Sequence, residues 1–179
     1  MASQEQFNEQ LREQLMKRLK SVSSLNKQAG APGPEHERLK SDLLTWAMEL
    51  GFVTAYKRFK NDGIPDVLLE NTSFNYLFCG DAKDAKNETC DNAETVQRIR
   101  GYFDEFVSVL GAKGFSGGRL AIATNSETEA KRWVPVLNAL AQASNIVGVL
   151  TLGVPVPQEF PPNFTVIQIP GKNTWITYW

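Results

Sequence analysis

Asp62-Gly63-Ile64-Pro65-Asp66-Val67-Leu68-Leu69-Glu70, the turn Asn71-Thr72-Ser73, then Tyr76-Leu77-Phe78-Cys79-Gly80-Asp81-Ala82-Lys83-Asp84: this stretch, running on to Glu88, decides the fold. Branched and aromatic residues favour a pleated surface and Asn and Ser favour a turn, so the two apolar runs read as a β-hairpin. Centring the turn between Ser73 and Phe74 sets Leu68 against Cys79 and Asp66 against Asp81, with Cβ atoms roughly 5 Å apart. Side chains alternate along a strand, so Asp81 and Lys83 share a face. Two carboxylates and an ammonium then occupy one patch. Such crowding raises one carboxyl pKa unless a cation intervenes, and the natural occupant is a hard divalent ion with oxygen ligands, Mg²⁺ or Mn²⁺.

A second D-x-K, Asp84-Ala85-Lys86, follows immediately. Choosing it would move the hairpin centre to Asn75 and leave the Asn-Thr-Ser turn signal unused, so the first copy is preferred.

Working outward, the 179 residues are 42% hydrophobic and 22% charged, which predicts one soluble globular domain with a sizeable core, and the helical and strand patterns along it make the expected class α/β. No run of about 18 apolar residues and no signal-peptide pattern occurs, so a cytoplasmic protein without a membrane partner is expected. Cys79 and Cys90 stand in no metal-type spacing and fit free thiols in a reducing compartment. The net charge of −1 and pI of about 5.9 argue against a nucleic-acid coat protein, whose phosphate contacts need positive charge. They leave room for an acidic metal site with a local basic patch.

Residues 3 to 28 read as a helix, because Phe7, Leu11, Leu15, Leu19, Val22 and Leu25 form one stripe. The segment Ala29-Gly30-Ala31-Pro32-Gly33-Pro34 ends it, dividing the chain into an N-terminal helix and linker, 1–30, and a main domain, 31–179. The stripe either packs on that domain or forms a homodimer seam or a partner-protein surface. A second helix is expected from Glu35 to Leu50, stopped by Gly51, with Leu39, Leu43, Trp46 and Leu50 on its apolar face. Glu35 falls at the edge of that face and Glu37 well round it. His36, the single histidine, permits neither a His-based metal cluster nor a Ser-His-Asp triad and reads as a surface or capping residue.

A strand over Phe52–Phe59 carries Lys57 and Arg58, with Lys60 beside it, the basic cluster nearest the acids. Asp91-Asn92-Ala93-Glu94 is a capping-box pattern opening a helix through Leu110. An apolar strand, Leu120–Thr124, a helix capped by Ser126 with Glu129 three on, and an apolar strand, Ile146–Leu152, imply a parallel pairing with a right-handed crossover. Late strands are expected at Phe164–Ile169 and Thr174–Trp179, packing Trp175 or Trp179 on the core.

Pro65-Asp66, a gap of 14 residues, then Asp81-Ala82-Lys83 resembles the signature of the PD-(D/E)xK nuclease superfamily. Its restriction-endonuclease-like fold includes Holliday-junction resolvases, Mrr-type enzymes and RecB-type nuclease domains. The element order, helix, three strands, helix, strand, helix, strand, is similar to that core from about Glu35 to Leu152. The resemblance implies an α-β-β-β-α-β mixed sheet flanked by helices and a Mg²⁺- or Mn²⁺-dependent endonuclease acting on DNA rather than RNA. Asp66, Asp81 and Lys83 would be catalytic. Asp66 and Asp81 would hold metal with an acid from the first core helix, Glu35 or, since Glu37-Arg38 looks like the Glu-Arg pair of resolvases, Glu37. Lys57, Arg58 and Lys60 would contact phosphates. Gln97 and Tyr102 are similar to the Gln and Tyr of RecB-type domains but stand five apart where that family has four, so Gln97 is carried as a nucleic-acid contact only. The alternative is a catalytically inactive nuclease-fold subunit serving nucleic-acid binding or protein assembly.

Overall fold

The computed structural model describes residues 4–24, 33–56, 65–144 and 163–179. Its elements are α1 (Gln4–Ser24), α2 (Pro34–Glu49), β1 (Thr54–Ala55), β2 (Val67–Asn71), β3 (Tyr76–Lys83), α3 (Ala93–Lys113), β4 (Gly117–Thr124), α4 (Glu127–Ala143), β5 (Thr165–Gln168) and β6 (Trp175–Tyr178). The strands form one open mixed sheet in the order β1-β2-β3-β4-β6-β5. β3 and β4 are parallel, joined through α3, and the other neighbours are antiparallel. Among the described residues no helix is long and apolar enough to cross a membrane.

Alternation along β3 splits the core in two. Leu77 and Cys79 join Leu68, Ile122 and the α3 and α4 side chains Phe103, Phe106 and Trp133 on one face. Phe78 turns the other way, into Leu43, Leu44 and Ala47 of α2 and Leu15 of α1. Its ring lies 5.2 Å from that of Phe52 and 6.0 Å from that of Trp46, so truncating it to alanine would cost about 3–5 kcal/mol. Leu15 is 2% exposed, so this part of the α1 stripe is used within the chain, against α2. Gly118 admits the close approach of α3 to the sheet: a Cβ there would stand 2.6 Å from Phe106 and 2.4 Å from the Leu77 carbonyl oxygen.

Several expectations hold. The hairpin pairs Leu68 with Cys79, Gly51 ends α2 at a φ of 96°, Ser126 caps α4 by accepting from the Glu129 N–H, and Trp179 packs beside Phe164. Three are corrected. The N-cap of α3 is Asn92, one residue later than the Asp91-Glu94 pattern implies, because its side chain takes the Thr95 N–H. Leu39 and Leu43 of the expected α2 face are buried and Trp46 packs on Phe78, but Leu50 is 41% exposed and the buried stripe extends instead through Lys40, Leu44 and Ala47. Finally, the edge of β4 away from β3 is occupied over Ala121–Thr124 by antiparallel β6, which leaves no room there for a parallel partner. The segment 146–152 expected in that place lies outside the described residues, as do Lys57, Arg58 and Lys60.

Candidate active site

The hairpin register brings the motif together at the carboxyl end of β3, where open α/β sheets commonly place their sites. The Asp66 N–H donates to Asp81 Oδ1 at 2.9 Å, and the Ala82 N–H donates to Asp66 Oδ2 at 2.8 Å. Each acid is thus aimed by the backbone of the opposite strand. Lys83, two residues after Asp81 and 2% exposed, places Nζ 2.5 Å from Asp81 Oδ2 and 3.1 Å from Glu88 Oε2. His36, in the first turn of α2, sets Nε2 3.1 Å from Asp66 Oδ1 and Nδ1 3.9 Å from Glu88 Oε1. Arg98 of α3 approaches Glu88 Oε2 at 3.9 Å from the half-exposed rim. The buried Tyr102 phenol lies in the field of both aspartates, which together with burial drives its pKa well up.

The charges do not titrate independently. Burial opposes ionisation of Asp66, but the His36 hydrogen bond, the bond shared with Asp81 and the fields of His36 and Lys83 win, holding it below the usual carboxylate range. Asp81 pays for the same arrangement: burial and the Asp66 charge push it up to about 7 although Lys83 pulls the other way. Burial would favour neutral Lys83, yet Asp81, Asp66 and Glu88 hold its pKa above the ordinary lysine value. His36 is likewise raised, burial being outweighed by Asp66 first and then by Asp81 and Glu88. Without a bound cation the two acids are therefore pushed in opposite directions, Asp66 toward the carboxylate and Asp81 toward the neutral acid.

Asp66, Asp81 and Lys83 are brought together as the motif requires. Glu35 is engaged elsewhere: it takes the Arg38 guanidinium at 2.5 and 3.0 Å and Asn125 Nδ2 at 3.0 Å, and these bonds lower its pKa to about 2. Among the described residues the side chain of Glu37 makes no hydrogen bond or ion pair to this network. Gln97 is exposed on α3, whereas the next residue, Arg98, approaches Glu88. The second D-x-K falls in the loop after β3. There Asp84 accepts the Lys86 N–H and Asn125 Nδ2, and Lys86 is exposed.

Two members escaped the sequence reading. His36 is no surface or cap residue. It heads the i, i+4, i+7, i+11 line His36-Lys40-Leu43-Ala47, and that spacing is the signal that would have turned it inward. Glu88 sits five residues past Lys83 in the loop that must return to α3, and its N–H is tied to the Asp84 carbonyl oxygen at 2.8 Å. An acid in so short a return loop stays near the end of β3.

The donor set suits a hard divalent cation: Asp66, Asp81 and Glu88 offer carboxylate oxygens, each with more than one lone pair. The Thr124 hydroxyl, fully buried at the β4 position paired with Lys83, has no hydrogen-bond partner among the described residues. No three His, Cys, Asp or Glu side chains among the described residues already converge on one point. A cation would thus compete with Lys83 and His36 for oxygens they now hold. No protein-family model, curated protein or solved structure matches this chain.

Proposed function

We propose that the chain is a metal-dependent nuclease of PD-(D/E)xK type with a restriction-endonuclease-like core, hydrolysing phosphodiester bonds in DNA. The observation that carries the reading is the interlocked Asp66–Asp81 pair with Lys83 on the same strand face, built by a hairpin register that chance placement of P-D and D-x-K would not provide. Asp66 and Asp81, joined by Glu88 from the following loop, would hold Mg²⁺ or Mn²⁺. When bound, such an ion polarises a phosphate oxygen and lowers the pKa of water toward neutrality.

The remaining work belongs to the side chains. Lys83, on the strand face of Asp81, would orient or deprotonate the attacking water and offset charge that grows on the phosphate. Lys83 is held by Glu88, and that contact must loosen for its ammonium to face substrate. Arg98, at the rim, is suited to a flanking phosphate.

One observation favours the inactive-subunit reading: Lys83 and His36 already hold oxygens of Asp81 and Asp66, so both acids have partners without a metal ion. Calorimetric titration with Mn²⁺ separates the two. A nuclease site binds the ion and loses it in Asp66→Asn, whereas a purely structural cluster gives a flat isotherm in both proteins.

A further inference from the structure

We propose that Asn125 is a positioning residue: its carboxamide pins the turn that carries Glu88 to the first turn of α2, and so holds Glu88 within reach of a cation bound by Asp66 and Asp81. The inference rests on the nuclease reading and names a residue outside the acid cluster on which that site depends.

Three observations carry it. Asn125 follows β4 directly, and its side chain joins three elements: Oδ1 accepts the Ala85 N–H at 2.9 Å, while Nδ2 donates to Asp84 Oδ1 at 3.1 Å and to Glu35 Oε1 at 3.0 Å. Both amide hydrogens and one oxygen lone pair are thus in use. Next, the turn is built on Asp84, whose carbonyl oxygen takes the N–H groups of Asn87 at 3.0 Å and Glu88 at 2.8 Å and whose carboxylate takes the Lys86 N–H at 3.0 Å. Holding Asp84 therefore holds Glu88, which stands 3.1 Å from Lys83 Nζ and 3.9 Å from His36 Nδ1. Finally, the far end of the tie is anchored. Glu35 is gripped by Arg38, and Arg38 is bonded in turn to Thr174 Oγ1 at 2.8 Å and to the Asn173 carbonyl oxygen at 2.9 Å, in the turn between β5 and β6. Only an amide fits this place. A carboxylate there keeps an acceptor for the Ala85 N–H but has no hydrogen to give, and it would face the carboxylates of both Glu35 and Asp84.

Mn²⁺ affinity is measured by calorimetry for wild type, Asp66→Asn, Glu88→Gln, Asn125→Asp, the pair Glu88→Gln with Asn125→Asp, and the swap Asp84→Asn with Asn125→Asp. Amide hydrogen exchange is followed in wild type with and without Mg²⁺. Asn125→Asp should lower Mn²⁺ affinity by about tenfold, the scale of losing an outer hydrogen-bond partner of a metal ligand. Because the effect runs through Glu88, the pair should bind no more weakly than Glu88→Gln alone, a non-additivity that general destabilisation would not produce. The swap restores one donor and one acceptor between the two positions and should recover most of the loss. In wild type the Ala85 N–H should exchange more slowly once Mg²⁺ is bound, since an ion that captures Glu88 stiffens the turn. If Asp66→Asn abolishes binding but Glu88→Gln or Asn125→Asp binds like wild type, or their losses multiply in full, or the swap recovers nothing, the role of Asn125 is overturned and the nuclease reading stands. If wild type binds neither ion, both fall. Should Asn125→Asp fail to fold in thermal melts, the wild-type arm decides alone: an Ala85 N–H that exchanges as fast with Mg²⁺ as without it overturns the proposal.

Discussion

Replacing Lys83 by Met keeps most of the buried aliphatic stem and removes the ammonium. In the folded protein that ammonium lies 2.5 Å from Asp81 and 3.1 Å from Glu88, almost without solvent. Deleting one partner of a buried ion pair strands the other, at a cost of about 3–5 kcal/mol. Glu88 is 26% exposed and keeps His36 and Arg98 nearby, so most of the penalty falls on Asp81. That residue has an escape. Its pKa is already about 7, so at pH 5.5 it is protonated in both proteins and the missing cation matters less. In metal-free buffer Lys83→Met should therefore lose about 3 kcal/mol at pH 8 but only about 1 kcal/mol at pH 5.5. Urea unfolding followed by tryptophan fluorescence, with EDTA present, measures both. In the double variant with Asp81→Asn the loss should fall short of the sum by at least about 0.5 kcal/mol. A loss at pH 8 below about 1 kcal/mol, or equal losses at the two pH values, would refute the claim that Lys83 is the counter-ion of a buried Asp81.

Other outcomes follow from the same network. The Asp81 carboxyl is raised, so the folded state holds the proton more tightly than the unfolded chain; metal-free wild type should lose stability as pH climbs from about 4 through 7, and Asp81→Asn should flatten that slope in pH-dependent melts. Glu35 has the opposite sign: its pKa is depressed to about 2, so the stability it lends is present above 4.5 and vanishes as pH falls through 2. Because its side chain is 39% exposed, Glu35→Gln should cost no more than about 1 kcal/mol at pH 7, with the difference closing in acid. Gly118→Ala drives a methyl group into the Leu77 carbonyl and the Phe106 ring, and calorimetry should show a loss of about 1–3 kcal/mol; an unchanged melting temperature would mean that α3 can move away.

The hairpin was legible because three signals agreed: the Asn-Thr-Ser turn fixed its centre, alternation fixed its faces, and together they set Asp66 opposite Asp81 before any coordinates. The helix termini at Gly51 and Ser126 were equally plain, since each rests on one residue's local chemistry. What failed was orientation that only tertiary packing decides. Leu39 and Leu43 were read correctly, but Leu50 drew the α2 face to one side, whereas the buried surface widens the other way through Lys40, Leu44 and Ala47, the side on which His36 lies. Likewise, the apolar composition of β4 says that both its faces are covered but not which strands lie at its edges: β3 lies parallel on one, and β6 returns antiparallel on the other from far along the chain. Glu88 went unseen because loops carry no periodicity to project a side chain.

The most direct test is single-turnover cleavage of supercoiled, linear and branched DNA with Mn²⁺ or Mg²⁺. Wild type should cut at least one of these substrates only when the ion is present, Asp66→Asn should not, and Lys83→Ala should be slower by roughly 10²-fold or more while Lys86→Ala stays near wild type. Cleavage that survives Asp66→Asn, or that falls equally in the two lysine variants, would contradict the site built from Asp66, Asp81 and Lys83.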